Sequence, residues 1–368
     1  MVTRLLPTNS AGITQIVQAP PPPPPPPPPV TKYVLSIDSN PRGLSFTLDG
    51  VAQVTPFSQS IDAGSHAVGF PTSAAAAGLT YTFSKWSDGV QTAPRTVNLA
   101  ADVSLFAILR SPVGVVAGDS GSALDSLALP SAPKFILGEF GYLLFYVDGS
   151  GRLSVVGNEG DPTLVGWTAP FQSASAGFRR PSAVRVGVTN EDYLVLVQSG
   201  AGTTASISEF VVRVIRDPLS FAVKDVTFSG PATVDVPGRF QVLTKAHDGS
   251  VWAVWSKQIT GASKLVAGHW APSTGWVLQD IAIDTVTLLE KFPAILQRQD
   301  DNALIVVANN SQSATTRNLA LVKATFDALT GGWTWRPANL TYRTDVSRGI
   351  QDAPDMFWDT FRQLAVVV

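Results

Sequence analysis

The chain reads as all-β: an N-terminal docking peptide (1–19), a polyproline II rod (20–30), a β-sandwich (31–110), a connecting stretch (111–132) and a β-propeller (133–368). Three observations predict this. Ten prolines run unbroken from Pro20 to Pro29. Short alternating strands separated by turn formers fill the next 80 or so residues, and the last 235 or so repeat with a period near 50. Strand runs with period two and regular turn punctuation mark β structure, and a period of that length with about four strands per unit marks a propeller.

Composition narrows the chemistry before any motif is considered. The chain has 368 residues, enough for two or three domains with real cores, and 45% of them are apolar. Only 15% are charged and the formal net charge is −2, so there is no electrostatic footprint for nucleic acid or for an acidic membrane. Cysteine is absent, which removes disulfides, thiolate nucleophiles and Cys-ligated zinc. The three histidines, His66, His247 and His269, are far apart, so no metal site and no cofactor is expected. No stretch is long and apolar enough to span a bilayer, and the first 19 residues, interrupted by Pro7, Asn9, Ser10 and Gln15, lack the apolar core of a secretory signal.

Leu5, Leu6, Ile13, Ile16 and Val17 lie in a segment too short to bury a core, so their apolar surface suits a partner; a disordered terminus is the alternative. The prolines that follow have fixed φ and no donors, and form a stiff extended rod. At about 3.1 Å per residue, that rod spans roughly 30 Å.

From Lys32 the pattern becomes that of strands. Tyr33, Leu35 and Ile37 alternate with polar residues, as do Leu44, Phe46 and Leu48 before the turn Asp49-Gly50. Further short strands lie near Ile61, at His66 to Phe70, Tyr81 to Trp86, Arg95 to Leu99 and Val103 to Leu109. About seven antiparallel strands of this kind make a sandwich. The module resembles immunoglobulin-like bacterial surface repeats, including internalin-type B-repeats and PEGA domains. The resemblance is carried by Asn40-Pro41-Arg42-Gly43, Asp62-Ala63-Gly64-Ser65-His66, Phe83-Ser84-Lys85-Trp86-Ser87-Asp88-Gly89 and Asp102-Val103-Ser104-Leu105-Phe106-Ala107. It implies a spacer or adhesive stalk, with Trp86 a core residue flanking a turn rather than a ligand platform. Between the modules, Gly118-Asp119-Ser120-Gly121-Ser122 looks like a trypsin-type nucleophile motif. A serine nucleophile needs a base and an orienting carboxylate. Only His66 precedes it, inside the sandwich, so a Gly/Ser turn is the better reading.

In the repeating part a proline introduces a short apolar strand at Pro133, Pro181, Pro237, Pro293 and Pro354, at intervals of 48, 56, 56 and 61 residues. An acidic turn and a second apolar strand follow each time, as at Asp148 before Leu153 to Val156, and are assigned to hairpin geometry rather than to metal. Later strands carry Gly166-Trp167, Gly275-Trp276 and Gly332-Trp333, whose shared register predicts a blade-packing role. Five blades are expected, the last closed by strands within 113–129; four blades with a stray hairpin are the alternative.

Phe178-Arg179-Arg180-Pro181 resembles the arginine motif of sialidases, and Asp248-Gly249-Ser250-Val251-Trp252 is a partial match to their Asp-box turn. In that family the arginines clamp a carboxylate. Here the motif sits at the second repeat, not the first. Arg239 and Lys291 occupy comparable places, so Arg179, Arg180, Arg239 and Lys291 form a candidate cationic ligand site, with the out-of-register Trp270, Trp335 and Trp358 as candidate stacking residues. A glycosidase also needs two positioned acids, or a tyrosine with its partner, and none can be placed. No catalytic residue is assigned, and the chain is expected not to be an enzyme.

The whole resembles a phage fibre or virion decoration protein. That implies a place on the virion surface, attachment to a capsid, portal, collar or tail protein through residues 1–19, and display of the β modules to a host glycan or receptor, with a trimer or dimer as the expected assembly. The alternatives are a carbohydrate-binding, lectin-like propeller at the cell surface, and a sialidase-like hydrolase or polysaccharide lyase.

Overall fold

The computed structural model describes residues 30–76, 79–111, 134–138, 140–158, 166–200, 204–246, 249–259, 262–281, 293–297, 303–311, 317–327, 332–338, 356–359 and 364–367. The docking peptide, the proline rod, the Ser120 motif and the closing strands expected within 113–129 lie outside these residues. Every element in them is a strand, and no α-helix occurs among the described residues.

Nine strands form the sandwich: β1 (Lys32–Asn40), β2 (Ser45–Leu48), β3 (Val51–Val54), β4 (Phe57–Asp62), β5 (Gly64–Gly69), β6 (Ser73–Ala76), β7 (Leu79–Trp86), β8 (Pro94–Leu99) and β9 (Val103–Arg110). They make two sheets, ordered β4-β1-β9-β7-β6 and β3-β2-β5-β8. Leu35, Ile37, Phe46, Phe70, Tyr81, Trp86, Leu105 and Leu109 fill the space between them, and the Trp86 indole N–H donates to the Thr92 carbonyl at 3.0 Å. The expectation of purely antiparallel strands needs correction, because β1 pairs parallel with β9, Leu35 opposite Val103 and Asn40 opposite Ile108. The first and last strands therefore run the same way, which delivers the chain to the next module.

Four complete blades follow, each a four-stranded antiparallel meander. They comprise β10 (Phe135–Gly138), β11 (Gly141–Val147), β12 (Leu153–Asn158) and β13 (Phe171–Gln172); β14 (Phe178–Arg185), β15 (Glu191–Ser199), β16 (Ser206–Arg216) and β17 (Val223–Asp235); β18 (Arg239–Lys245), β19 (Val251–Ile259), β20 (Ala262–Ala271) and β21 (Gly275–Ile281); and β22 (Pro293–Gln297), β23 (Leu304–Ser311), β24 (Arg317–Asp327) and β25 (Gly332–Ala338). A two-stranded fifth unit, β26 (Met356–Asp359) with β27 (Leu364–Val367), comes last. The first strands of successive blades touch one another, β14 to β18, β18 to β22 and β22 to β26, as the innermost strands of a propeller must.

Blades pack face to face because inner strands such as β12 and β15 are buried on both sides. Leu143, Phe145 and Val155 of the first blade meet Tyr193, Val195 and Phe210 of the second. Leu194, Leu196 and Ile207 on the other face of the second blade meet Leu243, Ala253 and Trp255 of the third. Phe240, Val254 and Leu265 then meet Ile295, Leu304 and Val306 of the fourth. No blade could bury both faces alone, so neighbours complete each core. The acidic turn after β11 is a hairpin device: Asp148 Oδ1 accepts the Ser150 and Arg152 backbone N–H groups, both at 2.9 Å.

Candidate functional site

Antiparallel register sorts the blade ends into two faces of the ring. In the second blade Phe178 pairs with Ser199, Ser199 with Ser206 and Ile207 with Asp235, so these residues share the leading end, where the innermost strand begins. Arg185, Tyr193, Arg216 and Val223 share the trailing end.

The sandwich docks on the trailing end. Phe106 and Ile108, on the face of β9 turned away from the sandwich core, bury against Ala222 in the loop before β17. Arg42 bridges Asp38 of its own module at 3.1 Å and Asp225 of β17 at 3.3 Å, and the Lys224 ammonium lies over the Phe106 ring. At the first blade, Ser111 pairs with Trp167, and Gly166 lies so close that a Cβ there would sit against the Ser111 carbonyl. The described sandwich contacts leave the leading end uncovered.

At that end two adjacent innermost strands repeat one distortion. The β14–β15 register slips between Arg179 and Ser182, and the β18–β19 register slips between Arg239 and Val242. Within the slips, Arg180 (φ 51°) and Phe240 (φ 58°) occupy the left-handed region, which residues other than glycine rarely adopt. Gln241 pins the arrangement. It is fully buried, and its side-chain amide donates to the backbone carbonyls of Arg180 and Leu196.

The outcome is a cationic cluster built on an aromatic ring. The Arg180 guanidinium carbon lies 4.5 Å from the Phe240 ring centroid and that of Arg239 lies 5.6 Å from it, both over the ring. Arg180 Nη1 also donates to Gln198 Oε1 at 2.8 Å, and Gln198 Nε2 to the Gly200 carbonyl. Burial holds the pKa of Arg239 below the usual arginine value, yet guanidinium stays charged across the physiological range. Two half-buried guanidinium groups, each over the Phe240 ring, with Arg179 adjacent in the chain, carry forks of the kind that suit planar anions accepting bidentate hydrogen bonds.

The other expected site residues are dispersed. Lys291 lies outside the described residues. Trp270 pairs with Val251 and Trp276 near the trailing end. Trp335, on the outermost strand of the fourth blade, donates its indole N–H to Gln279 Oε1 at 3.1 Å and meets Trp252 edge-on. Trp358 is placed in β26 by its backbone alone. The repeat alignment itself shifts. The last paired residues Arg185, Lys245 and Gln297 are equivalent, which puts Pro181 level with Gln241 and Pro293, and Pro237 four residues too early. On that register Arg179 and Arg239 are equivalent positions, and Arg180 is equivalent to Phe240. Neither Phe240 nor Gln241 was singled out from the sequence, where each looks like an ordinary strand residue.

The fold and this site define a class, a β-propeller carrying an N-terminal β-sandwich. No protein-family model matches the chain, and no curated protein matches it in sequence. Solved structures similar to it include the endo-arabinase from Bacteroides thetaiotaomicron, at 14% identity and TM-score 0.40, covering 67% of this chain and 89% of that one. Another is the GH32 beta-fructofuranosidase BmSUC1 of Bombyx mori, at 12% identity and TM-score 0.36, covering 62% and 56%. An exo-beta-1,3-galactanase from Phanerochaete chrysosporium with beta-1,3-galactotriose matches at 12% identity and TM-score 0.33, over 85% and 72%. At these values the likeness is one of fold. It nevertheless corrects the expectation that the chain is not an enzyme. All three structures bear the names of enzymes.

Proposed function

We propose that the propeller is a carbohydrate-recognising module whose leading-end cluster takes an acidic saccharide. One observation carries the proposal: adjacent blades repeat the same left-handed bulge and so bring Arg180 and Arg239 onto one Phe240 ring, at the end of the blades opposite the described sandwich contacts. Building a bulge around a non-glycine residue in the left-handed region costs on the order of 1 kcal/mol, and such distortions concentrate where a side chain must be re-aimed. A carboxylate or sulfate on a sugar ring is the group that paired guanidinium forks recognise best.

Isothermal titration of the full chain with 3′-sialyllactose and with tri-galacturonate, against lactose as the matched neutral saccharide, tests this. At least one acidic saccharide is expected to bind, and Arg239→Ala combined with Arg180→Ala to weaken it by roughly tenfold or more, about 1.4 kcal/mol. Arg239→Lys keeps the charge but not the fork, and is expected to recover only part of the affinity. Binding that ignores the acidic group, or that survives the double substitution, would overturn the assignment. Following the same saccharides for reducing-sugar release reads turnover in parallel with binding.

A further inference from the structure

The outermost strands carry a second feature that blade packing does not require. Gly275-Trp276 in β21 and Gly332-Trp333 in β25 are equivalent, since Gly275 pairs with Ala271 and Gly332 with Asp327 at the start of each last hairpin. Both tryptophans face the preceding blade: Trp276 donates its indole N–H to Glu209 Oε2 at 2.7 Å, and Trp333 packs on Trp252 at 4.7 Å. Two residues further on, the same face carries Leu278 in β21 and Trp335 in β25. A leucine, 40% exposed, therefore suffices at this position of the repeat. Trp335 adds an indole that the repeat does not need.

Its surroundings are those of a polar-edged aromatic floor. Gln279 is exposed; its carbonyl oxygen accepts from Trp335 and its amide nitrogen donates to the Trp333 carbonyl at 3.4 Å, which clamps the indole plane. An amide with two acceptor lone pairs and two donors retains one of each for a further partner. Val277, two residues before Gln279 on the same face of β21, is 60% exposed. Trp252 meets both Trp333 and Trp335 edge to face, at 4.7 and 6.4 Å.

We propose that this groove between the third and fourth blades is a saccharide subsite, in which the apolar C–H face of an uncharged pyranose stacks on Trp335 and a ring hydroxyl bonds the Gln279 amide. The occupant follows from the floor: a half-buried indole held flat beside a spare amide matches a ring with one C–H face and equatorial hydroxyls, whereas a peptide or lipid would want a longer apolar trough. The proposal rests on the reading of the propeller as saccharide-recognising but uses none of the leading-end arginines.

The test is saturation-transfer NMR and tryptophan fluorescence of the full chain with methyl pyranosides of glucose, galactose, mannose and fucose, alongside 3′-sialyllactose. At least one methyl pyranoside is expected to bind, and Trp335→Leu to weaken it by about tenfold while changing sialyllactose affinity by less than about twofold. Leucine is the repeat's own residue at this position, so the variant is expected to melt with the parent, and the melt is recorded. The proposal falls if no methyl pyranoside binds the parent chain, if Trp335→Leu leaves pyranoside binding unchanged, or if the variant loses both ligands together. Pyranoside binding that depends on Trp335 would stand even if sialyllactose did not bind at all, so the two sites fail separately.

Discussion

His66 shows how one side chain can make a module sensitive to pH. Its Nδ1 lies 2.7 Å from Asp49 Oδ2 and its Nε2 lies 2.8 Å from the Asp62 carbonyl oxygen, so both ring nitrogens face acceptors. Only the imidazolium can donate to both. The hydrogen bond to Asp49 and then that to Asp62 hold the His66 pKa above its ordinary 6.5, and the same contact, with the Ala67 N–H, holds Asp49 below 3.8. The sign follows by linkage. The histidine's contribution is fully present below its unfolded pKa and is lost as pH rises through the raised folded value, while that of Asp49 is lost as pH falls through its depressed one. The β2–β3 turn is therefore held best at mildly acidic pH. An NMR titration is expected to place His66 above 6.5 in the native chain and nearer the ordinary value in Asp49→Asn. A native His66 that titrates at or below 6.5 would show that the contact does not favour the charged ring. The sequence displayed His66 and the Asp49-Gly50 turn separately, and nothing in their spacing shows that β2 and β5 bring them together.

At the scale of the element, the third blade depends on the room that its middle strand leaves for the tryptophan rings of its neighbours. Gly268 lies in the middle of β20, and a Cβ there would sit 2.7 Å from the Trp276 ring and 2.9 Å from that of Trp255. Those indoles meet edge to face at 6.1 Å, and Trp255 Nε1 also donates to Asp235 Oδ2 at 2.8 Å, so neither ring moves away cheaply. Gly268→Ala is expected to destabilise the chain by about 1–3 kcal/mol through overpacking and to lower its melting temperature. A variant that melts with the parent would mean that the two rings can shift. The strands themselves were legible in the sequence, because apolar pairs and acidic turns recur in every blade. Their registers were not. Pro237 looked equivalent to Pro181 and Pro293, and only the ladder pairing, with its bulge at Phe240 and Gln241, shows that Gln241 holds that place.

Across the whole molecule, the sandwich packs against the second blade. Strand β9 is buried on both faces, with Leu105, Ala107 and Leu109 in the sandwich core and Phe106 and Ile108 against Ala222 of the second blade. Ile108→Asp would place a charge at a position only 2% exposed without touching the sandwich core. A buried unpaired charge costs several kcal/mol, so the modules are expected to come apart. Calorimetry of the parent chain should give one transition for sandwich and propeller, and the variant two; a single transition in both would count against this coupling. The unbroken run Leu105-Phe106-Ala107-Ile108-Leu109 is the pattern of a strand covered on both sides, and it was the one signal in the sequence that a second module packs there. Alternation, turn residues and the period near 50 determine the class of fold, because they act through neighbours in the chain and through a repeat that any blade must satisfy. Which cations meet is a different matter. Arg180 and Arg239 are 59 positions apart, and their approach depends on a backbone distortion repeated in two blades and on which end of the ring the sandwich covers. Both are products of long-range packing, where the geometry of each residue is set by partners that its own stretch of sequence does not contain.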